Sequence, residues 1–180
     1  MDAVAALDAM DAHVDDWRDA VKGKQRGIFS FDDVVNVKLK TLKKRIYTDI
    51  ETIPAWKMKE CIYKGIGDYE YFYDEWKELN VGDYWGGNGV SAFFKNKIVI
   101  PEKFEGKKVS LYVYFGGDSL VSVNGVPFQG LDPFRNAVVL TDCAKAGEVF
   151  DIDIESYFVW HSNESTLKKL ECSFIATTDD

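Results

Sequence analysis

His13 and His161 are the only imidazoles in the chain, which removes one class of chemistry, because a metal centre built on several histidines cannot be assembled from two. His161 follows Trp160 near a predicted strand end, where a lone imidazole beside a ring reads as a packed or exposed residue rather than a general base. Cys61, Cys143 and Cys172 are too few and too widely spaced for a disulfide framework or a CxxC knuckle, and are expected to be buried free thiols. The 30 Asp and Glu residues guarantee that some pair falls close together, but such a pair alone does not make a glycoside-hydrolysing site. The sequence contains no GxxxxGK[ST] phosphate loop, no GxSxG elbow and no HExxH pair. No catalytic, metal-binding or cofactor-binding residue is identified. What remains are contact residues: Trp85, Tyr84 and Trp160 could stack on sugar rings, and Asn88 or Asp118 could bond hydroxyls, or these residues could face another domain.

Composition narrows the partners. The formal charge of −8 repels phosphate backbones and anionic lipid, so neither nucleic acid nor a membrane surface is expected as a partner. No run approaches the roughly 18 apolar residues of a membrane span. Residues 1–12 mix Asp2, Asp8 and Asp11 into apolar sequence and lack a basic leader region, so no signal peptide is expected. Asn163-Glu164-Ser165 fits a glycosylation sequon, which means nothing without secretion. A reducing, cytoplasmic location follows as the expectation.

The elements that must position these residues begin with helices. Val4, Leu7, Met10, Val14, Trp17 and Val21 recur at three- and four-residue steps, predicting an amphipathic helix over 2–21. A second is predicted after Ser30, with Val35, Leu39, Leu42 and Ile46 on one face and Lys38, Lys40, Lys43, Lys44 and Arg45 solvated on the other. From Thr48 to Trp85 the chain turns aromatic and glycine-punctuated, and is expected to be loop-like. Its Tyr69–Tyr73 run resembles a sugar-stacking strip but suits rings that wedge a connecting segment onto a sheet. From Val90 onward the pattern is β. Phe94–Ile100 turns Lys95 and Lys97 outward, Val109–Phe115 alternates, and Asn124-Gly125 lies between two apolar runs as a type I′ hairpin signal. Val138–Leu140, Val149–Ile154 and Leu170–Ile175 give further strands. Gly82, Gly86, Gly87, Gly89, Gly116 and Gly117 serve either turns or a close approach by another domain. Short strands at this spacing, without a helix among them, predict a mostly β, antiparallel sandwich or jelly roll preceded by two α-helices. Residues 1–80 form a helical and irregular lead-in packed on the sandwich, and residues 81–180 form the sandwich.

Several motifs in register carry a family resemblance: Gly82-Asp83-Tyr84-Trp85-Gly86, Phe94, Ile100-Pro101, Gly106-Lys107-Lys108-Val109, Gly116-Gly117-Asp118 and Val123-Asn124-Gly125-Val126-Pro127-Phe128-Gln129-Gly130-Leu131-Asp132. Over roughly Val81–Tyr157 the chain resembles the amino-terminal, galactose-binding-like β domain of family 38 α-mannosidases of the cytosolic and vacuolar type. The resemblance implies a parent enzyme that hydrolyses terminal α-mannosides with retention, using a carboxylate nucleophile and a zinc ion held by Asp and His. Those residues belong to a downstream catalytic domain that opens with a His-x-Asp motif. The one His-x-Asp of this chain, His13-Val14-Asp15, lies upstream of the resembling segment rather than downstream of it, so the catalytic domain is expected to be absent, and zinc belongs to that domain. The residues Asn88-Gly89-Val90-Ser91-Ala92 are smaller than in several members.

Three readings follow. The favoured one is a non-catalytic accessory domain that packs on the parent's catalytic domain and helps build a homo-oligomer, through an exposed apolar patch at Trp85 or the Phe128–Phe134 loop. The others are a stand-alone carbohydrate-binding module and the corresponding sandwich of a β-galactosidase-type glycosidase.

Overall fold

The computed structural model describes residues 47–157 and 167–178, together with Asn36 and Lys38, which are helical. The helix predicted over 2–21, the rest of the segment predicted as a second helix, Trp160, His161 and the sequon lie outside the described residues.

The described chain is built from thirteen strands: β1 Tyr47–Thr52, β2 Ala55–Gly65, β3 Asp68–Tyr71, β4 Lys77–Asn80, β5 Tyr84–Trp85, β6 Val90–Val99, β7 Val109–Tyr114, β8 Asp118–Val123, β9 Val126–Leu131, β10 Ala137–Thr141, β11 Val149–Tyr157, β12 Lys168–Lys169 and β13 Cys172–Thr178. A 3-10 turn at Glu102–Phe104 precedes β7. One sheet has four strands in the order β1-β13-β7-β10. The larger has seven, in the order β3-β2-β6-β11-β8-β9 with β4 beside β2, and β5 pairs with β12. All pairings between named strands are antiparallel. The mostly β, antiparallel expectation therefore holds.

The stretch Thr48–Trp85, expected to be loop-like, is instead mainly strand. β1 is an edge of the smaller sheet, and β2, β3 and β4 belong to the larger, so the sandwich takes in residues that the sequence placed in an irregular lead-in. The cause is visible in β2, where Trp56 and Met58 are buried while Lys57 is exposed and Lys59 half-buried. This is period-two patterning carried by lysine and tyrosine rather than by β-branched residues.

Between the sheets lies one apolar core that includes Trp56, Phe94, Phe104, Leu111, Phe115, Val121, Ile152, Ile154 and Ile175. Phe94 stacks on Phe115 at a centroid distance of 3.8 Å, and Trp56 meets Phe115 edge-on at 5.3 Å. Trp56 Nε1 also donates to Ser173 Oγ at 2.8 Å, so a strand of the large sheet is bonded to one of the small sheet through a buried polar pair. The predicted hairpin is present: Val123 pairs with Val126, and Asn124 and Gly125 take φ of 52° and 76°, the left-handed values a type I′ turn requires.

Candidate functional site

Trp85 is not a surface ring. It is 2% exposed, its Nε1 donates to the Phe115 carbonyl at 2.7 Å, and it meets Phe94 edge-on at 5.1 Å. Neither a sugar nor another domain reaches it, and the expectation of a patch around Trp85 is corrected: pairing of β5 with β12 turns the indole into the sandwich. Asn88 is exposed in the following turn and Asp118 is exposed at the start of β8. Trp160 lies outside the described residues. Trp85 and Asp118 do not share a face: Trp85 points into the core, and Asp118 stands on the outer row opposite Tyr157. The glycines by Asp118 approach their own chain. A Cβ on Gly117 would lie 2.8 Å from the Tyr157 carbonyl oxygen, and one on Gly116 would lie 3.0 Å from Lys168 Cβ. Of the Phe128–Phe134 loop, Phe128 is 54% and Phe134 84% exposed.

The face that gathers chemistry is the outer side of the seven-stranded sheet. Strand alternation places Tyr63 and Cys61 of β2, Tyr69 and Tyr71 of β3, Phe93 and Ser91 of β6, and Glu155 and Tyr157 of β11 on it. In register, Tyr63 opposes Tyr69, Cys61 opposes both Tyr71 and Ser91, and Phe93 opposes Glu155. The rings touch: Tyr69 lies edge-on to Phe93 at 4.9 Å and to Tyr63 at 5.7 Å, and Tyr71 is 6.1 Å from Phe93. Lys59 Nζ sits 4.4 Å from the Tyr71 ring centre, a cation–π contact. Tyr69 Oη donates to Glu155 Oε1 at 2.7 Å, and this bond, followed by partial burial, pushes the phenol up to about 12. Burial, aided by the negative charges of Glu155 and Glu60, pushes the Cys61 thiol up to about 11, so it stays a neutral thiol. Tyr73, the last ring of the predicted strip, instead holds the sheet edge. Its hydroxyl donates to Glu60 Oε2 at 3.1 Å, while Glu60 Oε1 accepts from the Gly86 amide at 2.8 Å.

Along the same face the aromatic end gives way to charge. Lys95 pairs with Asp153 at 3.3 Å, Lys97 with Asp151 at 3.2 Å, and Lys95 also lies 4.9 Å from the Trp76 ring centre. The two ion pairs line an open groove of about 780 Å³ that runs past Lys57, Glu78 and Asn96 to the Asn124-Gly125 turn. The β11 carboxylates at 151, 153 and 155 are thus each engaged by a lysine or a tyrosine. Among the described residues no three His, Cys, Asp or Glu side chains gather as a metal site, and the donors present do not fit zinc. Cys61 and Cys172 are buried as expected, but Cys143 is exposed, since its position after β10 lies on a surface turn.

Tyr63, Phe93 and Glu155 were not singled out by sequence reasoning. The spacing of Tyr63, Tyr69 and Tyr71 at even intervals is the signal that could have found the strip, once residues 55–71 are read as a hairpin.

A family model described as the jelly roll domain of α-mannosidase matches residues 49–165. No curated protein matches the sequence. Among solved structures, β-glucuronidase 2 from Bacteroides uniformis, covalently bound to cyclophellitol-6-carboxylate aziridine, aligns with a TM-score of 0.50 at 12% identity, over 72% of this chain and 18% of that one. The β-glucuronidase of Ruminococcus gnavus in complex with D-glucaro 1,5-lactone aligns with a TM-score of 0.49 at 12% identity, over 73% of this chain and 30% of that one. The first of these likenesses bears on the fold alone, and the chain spans less than a third of either enzyme. With the matched segment running from β1 through β11, the two packed antiparallel sheets are those of a jelly roll, and the chain belongs to the α-mannosidase jelly roll domain family.

Proposed function

We propose that this chain is the non-catalytic, amino-terminal accessory domain of a family 38 α-mannosidase, and that it packs on a catalytic domain which hydrolyses terminal α-mannosides. The observation that carries this reading is the outer sheet face. Its carboxylates are neutralised in ion pairs or bonded to a phenol rather than held as an acid and a nucleophile, while Tyr63 and Tyr71 leave 46% and 43% of their surface to solvent. Exposed rings clustered on one face suit a contact surface. Any zinc would be held by Asp and His of the catalytic domain. Two buried free thiols support a reducing, cytoplasmic location, and the charge of −8 argues against nucleic acid and membrane surfaces as partners. No helix among the described residues is long and apolar enough to cross a membrane. A homo-oligomer of the full-length protein is part of the same proposal.

A second reading, a carbohydrate-binding module, is favoured by the same rings next to Lys59 and Glu155, which could bond sugar hydroxyls. The β-galactosidase-type alternative has less support, because the matching family model is that of α-mannosidase. Titration of the folded chain with mannose and short α-manno-oligosaccharides, followed by amide shifts, separates the first two. Silence to millimolar sugar is expected of the accessory domain. Saturable shifts around Tyr63, Tyr71 and Phe93 would establish sugar binding instead. In the intact parent enzyme, Tyr63→Ala with Tyr71→Ala should lower thermal stability and leave KM unchanged; a raised KM at unchanged stability would overturn the packing role.

A further inference from the structure

Charge is unevenly spread along the sandwich. Residues 119–141 hold only two charged side chains, Asp132 and Arg135, although 29% of the whole chain is Asp, Glu, Lys or Arg. This run forms most of β8, all of β9, the turn that follows and β10. β9 is an edge of the seven-stranded sheet and β10 an edge of the four-stranded one. Gln129 Nε2 donates to the Ala137 carbonyl at 2.7 Å, so the two edges lie side by side as one lateral wall. Val126, Phe128, Phe134 and Val139 are exposed there.

The opposite edges are built differently. At β1, Lys103 Nζ donates to the Ile50 carbonyl at 2.9 Å and pairs with Glu51, and Lys107 pairs with Asp49. Lys64 pairs with Glu70 of β3, and Lys57 with Glu78 of β4. Charged edges, above all lysines, keep a sheet from meeting another chain, and residues 119–141 contain no lysine. Pro127 and the bulge between Val121 and Ser122 blunt β9 as a hydrogen-bonding edge, so a partner meets side chains rather than extending the sheet. Phe134 is held out by a fixed turn. Its amide donates to Asp132 Oδ1 at 2.8 Å, Asp132 and Arg135 exchange backbone bonds, and their side chains pair at 3.2 Å. A ring presented on a rigid turn loses little freedom when it is covered. Aromatic rings and an arginine in charge-poor surroundings are the composition of an interface core.

Charge also selects the occupant. A cationic partner would be drawn to the acidic remainder of a chain of formal charge −8. A second copy is repelled by that remainder and meets least repulsion at a wall where one Arg balances one Asp. Such a wall is complementary to itself about a twofold axis, as an isologous contact requires.

We propose that the β9–β10 wall is a self-association surface, on which two copies of this chain meet through Phe128 and Phe134. This deepens the homo-oligomer of the proposed function and rests on that part of it alone; the outer face of the seven-stranded sheet, which carries the packing role, is not used.

Sedimentation equilibrium of the full chain from micromolar to millimolar concentration should show a monomer–dimer equilibrium. Phe128→Ser with Phe134→Ser should weaken it by roughly tenfold or more, while Tyr63→Ser with Tyr71→Ser should leave it unchanged. A monomer throughout, or a dimer indifferent to the phenylalanine substitutions, would overturn the self-association surface without touching the packing role. The unaltered chain supplies a second readout: amide shifts that change on concentrating the sample should fall within residues 126–139. Changes confined to Tyr63, Tyr71 and Phe93 would overturn the proposal by placing the dimer on the sheet face.

Discussion

Tyr69 and Glu155, separated by 86 residues, are joined by a 2.7 Å hydrogen bond across the outer face of the seven-stranded sheet. The bond spans from edge strand β3 over β2 and β6 to β11, tying the margin of the sheet to its middle. It also fixes the ring on which Tyr63, Tyr71 and Phe93 converge.

Tyr69→Phe keeps the ring contacts and removes only the hydroxyl. A bond to a charged acceptor on a partly solvated face should contribute about 1–2 kcal/mol. Denaturant unfolding should show a lowered midpoint at unchanged slope; an unchanged midpoint would mean that water replaces the phenol without loss.

Trp85→Phe should cost about 2–4 kcal/mol, because it opens space in the core and leaves the buried Phe115 carbonyl without its donor. The same burial predicts that Trp85 fluorescence in the wild-type chain does not respond to added mannoside. A quenchable Trp85, tested with acrylamide in the variant series, would contradict its placement.

Gly117→Ala should destabilise by about 1–3 kcal/mol, since the new Cβ would meet the Tyr157 carbonyl oxygen at 2.8 Å and backbone must move. Gly130→Ala makes a useful control, as its nearest neighbour would be the Ser119 oxygen at 3.7 Å, an ordinary contact. Equal melting temperatures for the two variants would refute the close approach.

Burial pushes the Cys172 thiol up to about 12 and the Cys61 thiol up to about 11, both from an ordinary 9.0. A raised value means that the folded state holds its proton more tightly than the unfolded one. The stability from this preference is complete below pH 9 and is lost as pH rises through 11 and 12. Thermal unfolding followed from pH 8 to pH 11 should show a falling Tm, with a smaller fall in the Cys61→Ala and Cys172→Ala variants. A Tm independent of pH across that range in the wild-type chain would remove these thiols from the balance.

Local patterning was enough for much of the β architecture. Asn124-Gly125 specifies a hairpin through its two positive φ values, and the alternation of Lys95 and Lys97 with apolar neighbours specifies a strand with one wet face, because both signals act within a few residues. The register of motifs from Gly82 to Asp132 was likewise sufficient for the family. Residues 48–80 were not legible as strands, since their glycines and mixed Lys-Tyr pattern imitate loop composition until β6 offers an edge to pair with. Nor could composition tell which aromatics face outward. Trp85 turns inward because Phe94 and the Phe115 carbonyl lie beneath it, while Tyr63, Tyr69, Tyr71 and Phe93 meet only when three separate strands come into register. Side-chain type is a property of the sequence; whether a ring is core or surface depends on which neighbour removes it from water, and that neighbour is supplied by tertiary pairing.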